Sequence, residues 1–279
     1  MKLLANLFMI ITLVATSLST GKDAWFVDST LVYERGNQLS QQYLAKNAPS
    51  FSKQHEQILP WIVRVEFQHD ITEESVTSNH GTGVILKGGL VLTAKHVMTE
   101  HIKDPSAETR IFLTTVDGRV FPASVVKSGK KDWVVLKMEI APEQEAMLNS
   151  PIKIAKPAAK ETCVFLGYPA RLGIDKQGKV QAFHKGDLKN NIPVSQLNPM
   201  VVVGAVTDTE ALYINPLAGF PPVGGMSGGP VFNLKGEVIA VQKAITKTAD
   251  DATGKVLSYR IDATSSSDIT LPTPNASTK

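Results

Sequence analysis

The feature of this chain that points most directly to chemistry is a glycine-rich hexapeptide with one serine, Gly225-Met226-Ser227-Gly228-Gly229-Pro230. Glycine adopts backbone dihedrals that other residues avoid, and it lets another main chain approach closely. We expect the N–H groups of Gly225 and Ser227 to point at one spot beside the Ser227 hydroxyl. Backbone donors beside a nucleophile form an oxyanion hole, which stabilises the negative charge that develops on an attacked carbonyl oxygen.

A serine hydroxyl attacks poorly unless a base removes its proton, so the hexapeptide predicts a histidine held by a carboxylate elsewhere in the chain. The histidine candidate is His96, which ends the segment 93–96 after an apolar run. The carboxylate candidate is Asp132, which precedes another apolar run. The order His, Asp, Ser is one of three unrelated orders that build a catalytic triad.

Each candidate also has a structural interpretation. Ser227 could belong to a structural turn, His96 could be an ordinary surface or core histidine, and Asp132 could be a turn residue before a strand. Asp117 is a rival carboxylate, but it stands in an Asp-Gly pair, which is a strong hairpin signal, so we assign it a structural role.

Other reactive groups give weaker signals. Cys163, the single cysteine, lies in an apolar strand-like run and is interpreted as a small buried hydrophobe. One cysteine allows no intramolecular disulfide. The His, Cys and Asp residues show no metal-ligand spacing, and the paired glycines at 88–89 and 224–225 lack the Lys-Ser/Thr ending of a phosphate loop. We therefore predict no metal and no cofactor.

The elements around these residues read as short strands separated by turns. Six runs rich in β-branched or aromatic residues form a first group, at 61–67, 83–87, 90–93, 110–116, 119–127 and 133–138. A connector at 141–150 leads to a second group, at 152–155, 161–167, 179–184, 200–206, 210–214, 230–233, 237–243 and 256–261. Two antiparallel barrels account for this number of strands.

In this order the motifs resemble those of trypsin-like serine proteases, most closely the bacterial HtrA/Deg type. The earlier part of the resemblance comprises Gly81-Thr82-Gly83-Val84-Ile85-Leu86, the segment Thr93–His96, and Asp117-Gly118-Arg119 with Asp132 after the next strand. The later part comprises Gly167-Tyr168-Pro169 and Ser227-Gly228-Gly229-Pro230 with the strands that follow. The resemblance covers about residues 60–262.

The resemblance implies an all-β fold of two six-stranded antiparallel barrels of the chymotrypsin type, with the active site in the cleft between them. It implies that Ser227 is the nucleophile, His96 the general base and Asp132 the carboxylate that orients it. Gly225 and Ser227 would form the oxyanion hole. By the same analogy, the substrate pocket is walled by Pro221, Val241 and Gln242.

The resemblance also bounds the domain. Barrel one is expected at about 59–140 and barrel two at about 150–262, leaving a polar extension at 21–58 and a disordered Ser/Thr/Pro tail at 263–279. Within the extension, residues 38–46 are expected to form a short helix, and the extension either packs on the barrel or stays loose. HtrA/Deg proteins usually carry PDZ domains, but the tail is too short for one. The extension does not repeat the element through which such proteins often form trimers, so no oligomeric state is predicted.

The composition and the amino-terminal residues bear on the partners and the location of the protein. The net charge of +3 is mild and no Lys/Arg cluster is evident, which argues against a nucleic-acid partner. Residues 1–20 have a basic start, an apolar stretch and then small residues, as a secretory signal does. An uncleaved anchor is the alternative. We expect a secreted or periplasmic protein of a bacterial envelope, with no membrane span after cleavage.

The sequence therefore predicts a serine endopeptidase (a hydrolase) that acts on protein or peptide substrates through an acyl-enzyme. A catalytically inactive barrel that binds peptides or a partner is the first alternative. An esterase is the second, but an α/β-hydrolase elbow would be followed by a helix, whereas Pro230 and a strand-like run follow the glycines here.

Overall fold

The fold is known from a computed structural model, which describes residues 29–69, 77–98, 109–169, 172–174, 180–182, 199–209, 212–218, 224–249 and 256–272. The predicted signal peptide at 1–20 and the predicted pocket residue Pro221 lie outside the described residues. Among the residues that are described, no helix is both long and apolar enough to cross a membrane.

Six strands form the first barrel. They are β1 (Ile62–His69), β2 (Thr77–Leu86), β3 (Leu90–Thr93), β4 (Arg110–Thr115), β5 (Val120–Ser128) and β6 (Val134–Met138). They close in the order β1-β2-β3-β6-β5-β4, with every pairing antiparallel. In β1 the alternating residues Val63, Val65 and Phe67 are fully buried, because successive side chains of a strand point to opposite faces.

Eight strands follow in the second half of the described chain. They are β7 (Thr162–Gly167), β8 (Leu172–Ile174), β9 (Val180–Ala182), β10 (Met200–Asp208), β11 (Tyr213–Ala218), β12 (Pro230–Asn233), β13 (Val238–Ala249) and β14 (Val256–Ser265). Six of them close a second antiparallel barrel in the order β10-β11-β14-β13-β12-β7. β8 and β9 form a separate two-stranded sheet.

The predicted fold class, two six-stranded antiparallel barrels of the chymotrypsin type, is confirmed. Two of the predicted strands are not part of the second barrel. Residues 152–155 form only an isolated bridge from Ile154 to Val238, since Pro151 and Pro157 flank the run and have no N–H for a ladder. The run at 179–184 contains β9, which lies outside the barrel.

The connector between the barrels contains a short 3-10 helix, Pro142–Leu148, within the segment predicted at 141–150. It is tied to barrel one after the helix ends. The buried hydroxyl of Ser150 donates a hydrogen bond of 2.7 Å to the carbonyl oxygen of Ile85.

Two helices precede the barrels where the sequence predicted an irregular extension with a short helix. They are α1 (Ser29–Asn47) and α2 (Pro49–Ile58). Phe51 of α2 is fully buried and its ring centroid lies 6.5 Å from that of Phe232 in β12. The sequence did not reveal these helices, because their composition is polar and only a few apolar residues, such as Leu44, pack them against barrel two.

Helix α1 also covers part of a strand edge. β11 pairs with β10 only from Val203 onward, which leaves the main chain of Val201 facing α1. Its N–H donates to Asn37 Oδ1 at 2.7 Å, and its carbonyl accepts from the Ser40 hydroxyl at 2.7 Å. Side chains of α1 thus replace the missing strand partner.

The carboxyl-terminal strand extends beyond residue 262, where the sequence placed the start of a disordered tail. β14 continues to Ser265 and a 3-10 helix, Ser266–Asp268, follows. Ser265 pairs with Ala240 of β13, and the Ser266 hydroxyl donates to the carbonyl oxygen of Ala155. Small hydroxyl side chains resemble a linker in sequence, yet here they are buried and hydrogen-bonded. Residues 273–279 lie outside the described residues.

Candidate active site

His96 lies just beyond the end of β3, in the 3-10 helix Lys95–Met98. The next two residues, Val97 and Met98, turn into the core and are at most 3% exposed. The side chain of His96 is consequently directed outward, with 44% of its surface exposed. An apolar anchor on one side of this turn therefore presents the imidazole to solvent.

Asp132 holds His96 through both of its carboxylate oxygens. Oδ2 lies 2.7 Å from His96 Nδ1, and Oδ1 accepts the main-chain N–H of His96 at 2.8 Å. An ionised carboxylate can only accept hydrogen bonds, so Nδ1 carries the proton in the neutral ring. The lone pair then lies on Nε2, the nitrogen that a general base would use.

The surroundings of Asp132 keep it ionised. Burial by itself would raise the pKa of Asp132, but the hydrogen bonds and charge of His96, together with the charge of Lys243, hold the pKa below its ordinary value. The next residue, Trp133, is buried and anchors the turn at the start of β6. The Gly129 N–H donates to the Trp133 carbonyl at 3.2 Å, and a side chain at Gly129 would overlap the indole.

Ser227 lies in a turn shaped by two glycines in the left-handed region, Gly225 at φ +87° and Gly228 at φ +82°. A Cβ on Gly228 would overlap Thr93 Oγ1 and the carbonyl oxygen of Thr82. Thr93 shortly precedes His96, and Gly228 directly follows Ser227. Close packing at this glycine therefore brings the serine loop against the segment that carries the histidine.

Backbone hydrogen bonds define which N–H groups of this loop are occupied. The N–H of Gly228 donates to the carbonyl of Gln242 at 2.9 Å, and that of Gly229 donates to the carbonyl of Met226 at 2.8 Å. The N–H groups of Gly225 and Ser227, by contrast, donate to no described residue. These two groups were the predicted oxyanion-hole donors.

The third contact of a triad, the hydrogen bond between serine and histidine, is not formed. Within the described part of the chain, the Ser227 hydroxyl makes no hydrogen bond to the ring of His96. In an enzyme without substrate this contact is often long and shortens only in the reacting complex. The structure thus brings His96 and Asp132 into direct contact, and it packs the Ser227 loop against Thr93, in the segment that leads to His96.

The two described residues of the predicted substrate pocket lie beside the serine loop but below the surface. Val241 is fully buried and Gln242 is 2% exposed. The main chain of Gln242 pairs with Gly228 and Gly229, so this part of β13 supports the loop. The first exposed side chain on the strand is that of Lys243, which the sequence analysis missed.

An open cleft of about 610 Å³ extends from the His96–Asp132 pair between the two barrels. We call it the basic cleft. Four lysines line it, together with seven other residues besides His96: Lys95, Lys130, Lys131, Lys243, Asp132, Tyr213, Asp262, Ala263, Thr264, Ser265 and Asp268. Lys130 and Lys131 are adjacent in sequence, but Lys95 and Lys243 lie far from them along the chain, so the full set is not a local cluster.

The remaining candidates lie away from His96. Asp117 accepts hydrogen bonds from Thr115 and Arg119 within the β4–β5 hairpin, which agrees with the structural role assigned to it. Cys163 is fully buried, and burial raises the pKa of its thiol, so it is a poor nucleophile. No group of three or more His, Cys, Asp and Glu side chains within the described part of the chain could hold a metal ion.

Comparison with known proteins shows which family this chain is similar to. The trypsin-like peptidase domain family matches residues 81–241. The chain is 26% identical over 188 residues to HhoA of Synechocystis sp., which is named as a serine protease. That alignment covers 66% of this chain but 41% of HhoA, so the chain spans about two fifths of its relative. The crystal structure of Deg5 superposes with a TM-score of 0.49 and 18% identity, covering 70% of this chain and 85% of Deg5.

Proposed function

Because this chain belongs to the trypsin-like peptidase family, we propose that it is a serine endopeptidase that cuts polypeptides through His96, Asp132 and Ser227. The family match confirms the resemblance to trypsin-like proteases that the motifs indicated. One observation carries the assignment of the residues. The carboxylate of Asp132 binds both the ring and the main chain of His96, which fixes the tautomer that a base needs.

In the proposed reaction the Ser227 hydroxyl attacks the scissile carbonyl carbon while His96 Nε2 takes the hydroxyl proton. The carbonyl oxygen becomes an oxyanion, which the N–H groups of Gly225 and Ser227 stabilise. His96 then gives the proton to the departing amine and an ester to Ser227 remains. Water attacks this ester by the same route, which releases the acid and restores the serine.

The packing of the loop supports this sequence of steps. Gly228 and Gly229 direct their N–H groups into the protein, while the N–H groups of Gly225 and Ser227 donate to no described residue. Peptide N–H groups without an internal partner are costly to bury and are commonly satisfied by a ligand or water. A substrate carbonyl oxygen is such a ligand.

A direct test uses a fluorophosphonate probe, which labels activated serines, together with casein cleavage. We expect the probe to label Ser227, and Ser227→Ala to lose both labelling and cleavage. Ser124→Ala is the matched control, because Ser124 is exposed on β5 of barrel one and makes no part of the site. Labelling elsewhere, or cleavage that survives Ser227→Ala, would overturn the proposal.

The second candidate is a barrel of this family that binds peptides without cutting them. The Ser227 hydroxyl, which makes no hydrogen bond to the ring of His96 in the described part of the chain, favours it. The same experiment separates the two functions. A folded protein that binds casein, yet takes no label at Ser227 and leaves casein intact, would be a binding protein.

We also propose that the chain is exported, on the basis of the signal-like residues 1–20. Amino-terminal sequencing of the protein recovered from a bacterial envelope fraction tests this. The expected result is a mature chain that begins near residue 21. Recovery of the intact amino terminus from the cytoplasm would refute export.

A further inference from the structure

The basic cleft lies between the two barrels, beside the His96–Asp132 pair. Barrel one supplies Lys95, Lys130 and Lys131 from the segments around the pair, and barrel two supplies Lys243. The cleft is open to solvent, and its volume of about 610 Å³ has room for an entering side chain. It is thus a surface that a polypeptide crossing the proposed active site would meet.

The carboxylates of the cleft are already occupied. Asp268 pairs with Lys131 at 2.9 Å, and Asp132 is bound by His96. Asp262 accepts from Arg260 at 3.0 Å and from the hydroxyl of Thr246 at 2.9 Å. Each acidic side chain that lines the cleft therefore has a partner of its own.

Three of the four lysines have no carboxylate partner of their own. The side chains of Lys130 and Lys243 make no hydrogen bond or ion pair with any described residue, and Lys95 Nζ donates to the carbonyl oxygen of Gly129 at 3.3 Å. The charge of Lys243 nevertheless acts within the cleft, since it helps to lower the pKa of Asp132. Charges of one sign that converge in a cleft attract an opposite charge from outside.

The path of β13 indicates that this opposite charge belongs to a polypeptide substrate. β12 pairs with β13 only as far as Val241, and Gln242 then pairs with the serine loop through Gly228 and Gly229. From Lys243 onward, β13 has no described strand on this side. An extended polypeptide can add to such an edge through main-chain hydrogen bonds. Because Gln242 pairs with the loop that carries Ser227, a chain that adds to this edge would lie beside Lys243 and close to that loop.

From these observations we propose that the basic cleft binds an acidic side chain of the substrate, Asp or Glu, within a few residues of the scissile bond. The proposal rests on the proposed function and adds a substrate class to it. Lys243 and Lys130 supply the counter-charge and act on specificity. They take no part in the bond-breaking steps.

The size of the effect follows from the exposure of the lysines. Ion pairs in open clefts are weakened by water and salt, so each contributes about a fivefold preference at most. We therefore expect the protein to favour a peptide with Glu over the same peptide with Gln by about fivefold to twentyfold in kcat/KM at low salt. The preference should fall toward unity at about 1 M salt.

The test compares fluorogenic peptides that differ only by Glu, Gln or Lys at successive positions around the cleavage site. Lys243→Gln and Lys130→Gln should each lower the Glu/Gln ratio of kcat/KM, and the double variant should abolish it. Lys243→Arg keeps the charge and should retain most of the ratio. Lys235→Gln removes an exposed charge at the opposite end of the β12–β13 hairpin and should leave the ratio unchanged.

Use of a ratio removes effects of the variants on folding or on the chemical step, because these act on both peptides alike. A ratio near one in the unaltered protein, or one that survives the double variant, would overturn the proposal. Failure of the proposed function looks different. In that case no peptide is cut, and the fluorophosphonate probe leaves Ser227 unlabelled.

Discussion

Thr82 and Gly225 are joined by a hydrogen bond of 2.9 Å from the threonine hydroxyl to the glycine carbonyl oxygen, which ties the serine loop of barrel two to strand β2 of barrel one. The N–H of Thr82 also donates to the carbonyl of Ser227 at 2.7 Å. The hydroxyl in turn accepts the N–H of Tyr168 at 2.9 Å. One fully buried residue thus holds the carbonyl groups of both proposed oxyanion donors.

Replacement of Thr82 by valine tests this positioning role. Thr82→Val keeps the shape but removes the hydroxyl, so the Gly225 carbonyl loses its donor and can rotate. We expect kcat to fall about 10²-fold with KM little changed, because a small misplacement of catalytic groups has that effect. Affinity for a peptide aldehyde, which forms the tetrahedral oxyanion, should fall in parallel.

The conservative variant Thr82→Ser restores the hydroxyl and should recover most of kcat. A purely structural role would instead lower the melting temperature of Thr82→Val and leave kcat of the folded fraction intact. Equal losses in the Val and Ser variants would also contradict the positioning role.

Replacement of Asp132 by asparagine tests the tautomer argument. In Asp132→Asn the side-chain amide would donate to His96 Nδ1 and leave the ring proton on Nε2, where it blocks the base. We expect kcat for peptide hydrolysis to fall about 10⁴-fold, as it does in other triads of this type. Asp117→Asn is the control, because the Asp117 carboxylate pairs with Arg119 in a distant hairpin, and its kcat should change less than about twofold. A larger loss in Asp117→Asn than in Asp132→Asn would reverse the assignment.

Substitution of Gly228 measures how tightly the serine loop is packed. Gly228→Ala forces a side chain into the left-handed region and against Thr82 and Thr93. Gly88→Ala is a matched control, since Gly88 has φ +80° with nothing within 4 Å of a built Cβ. In urea unfolding we expect Gly88→Ala to lose about 1 kcal/mol and Gly228→Ala about 3 kcal/mol or more. Equal losses would mean that strain alone, without the packing against the histidine segment, accounts for the glycine.

The buried His55 on α2 predicts a pH-dependent stability. Burial lowers the pKa of His55, with Glu56 partly opposing, and Gln41 Nε2 lies 3.2 Å from its Nδ1. As pH falls below the ordinary value of about 6.5, the unfolded chain binds a proton that the folded chain refuses, so stability falls. Each unit by which the pKa is lowered corresponds to a loss of about 1.4 kcal/mol.

Melting temperatures of the unaltered protein and of His55→Leu, compared at pH 8 and pH 5, measure this contribution. We expect the unaltered protein to lose more stability between the two conditions, because the other titrating groups are common to both proteins. An identical loss in both would show that His55 is not the titrating group.

Local pattern indicated two groups of strands and the catalytic candidates, and the resemblance to trypsin-like proteases supplied the arrangement in two six-stranded barrels. His96 and Asp132 stand 36 residues apart, yet each is marked by the apolar strand beside it, so their contact could be expected. The roles of Thr82 and Lys243 could not be read in this way. Thr82 reaches the serine loop through the register of β2, and Lys243 approaches Asp132 from the other barrel, so both interactions depend on how the barrels pack together.

The greater order of the two ends of the domain, compared with the predicted irregular extension and disordered tail, has a different origin. Asn37, Ser40 and Ser266 are polar residues typical of loops, and composition assigned them to an extension and a tail. In the fold their side chains bond to main-chain groups of Val201 and Ala155, which are far away in sequence. Such pairings exist only after the barrel has formed.

The docking of α1 on β10 shows that the range matched to the family is smaller than the part of the chain that folds as a unit. The matched range 81–241 omits α1, β1 and β14, and the barrels cannot close without these last two. An expression fragment cut to that range would present bare strand edges, including that of Val201, to its neighbours in solution. Open edges recruit other chains, so the fragment would accumulate as aggregate and say nothing about catalysis.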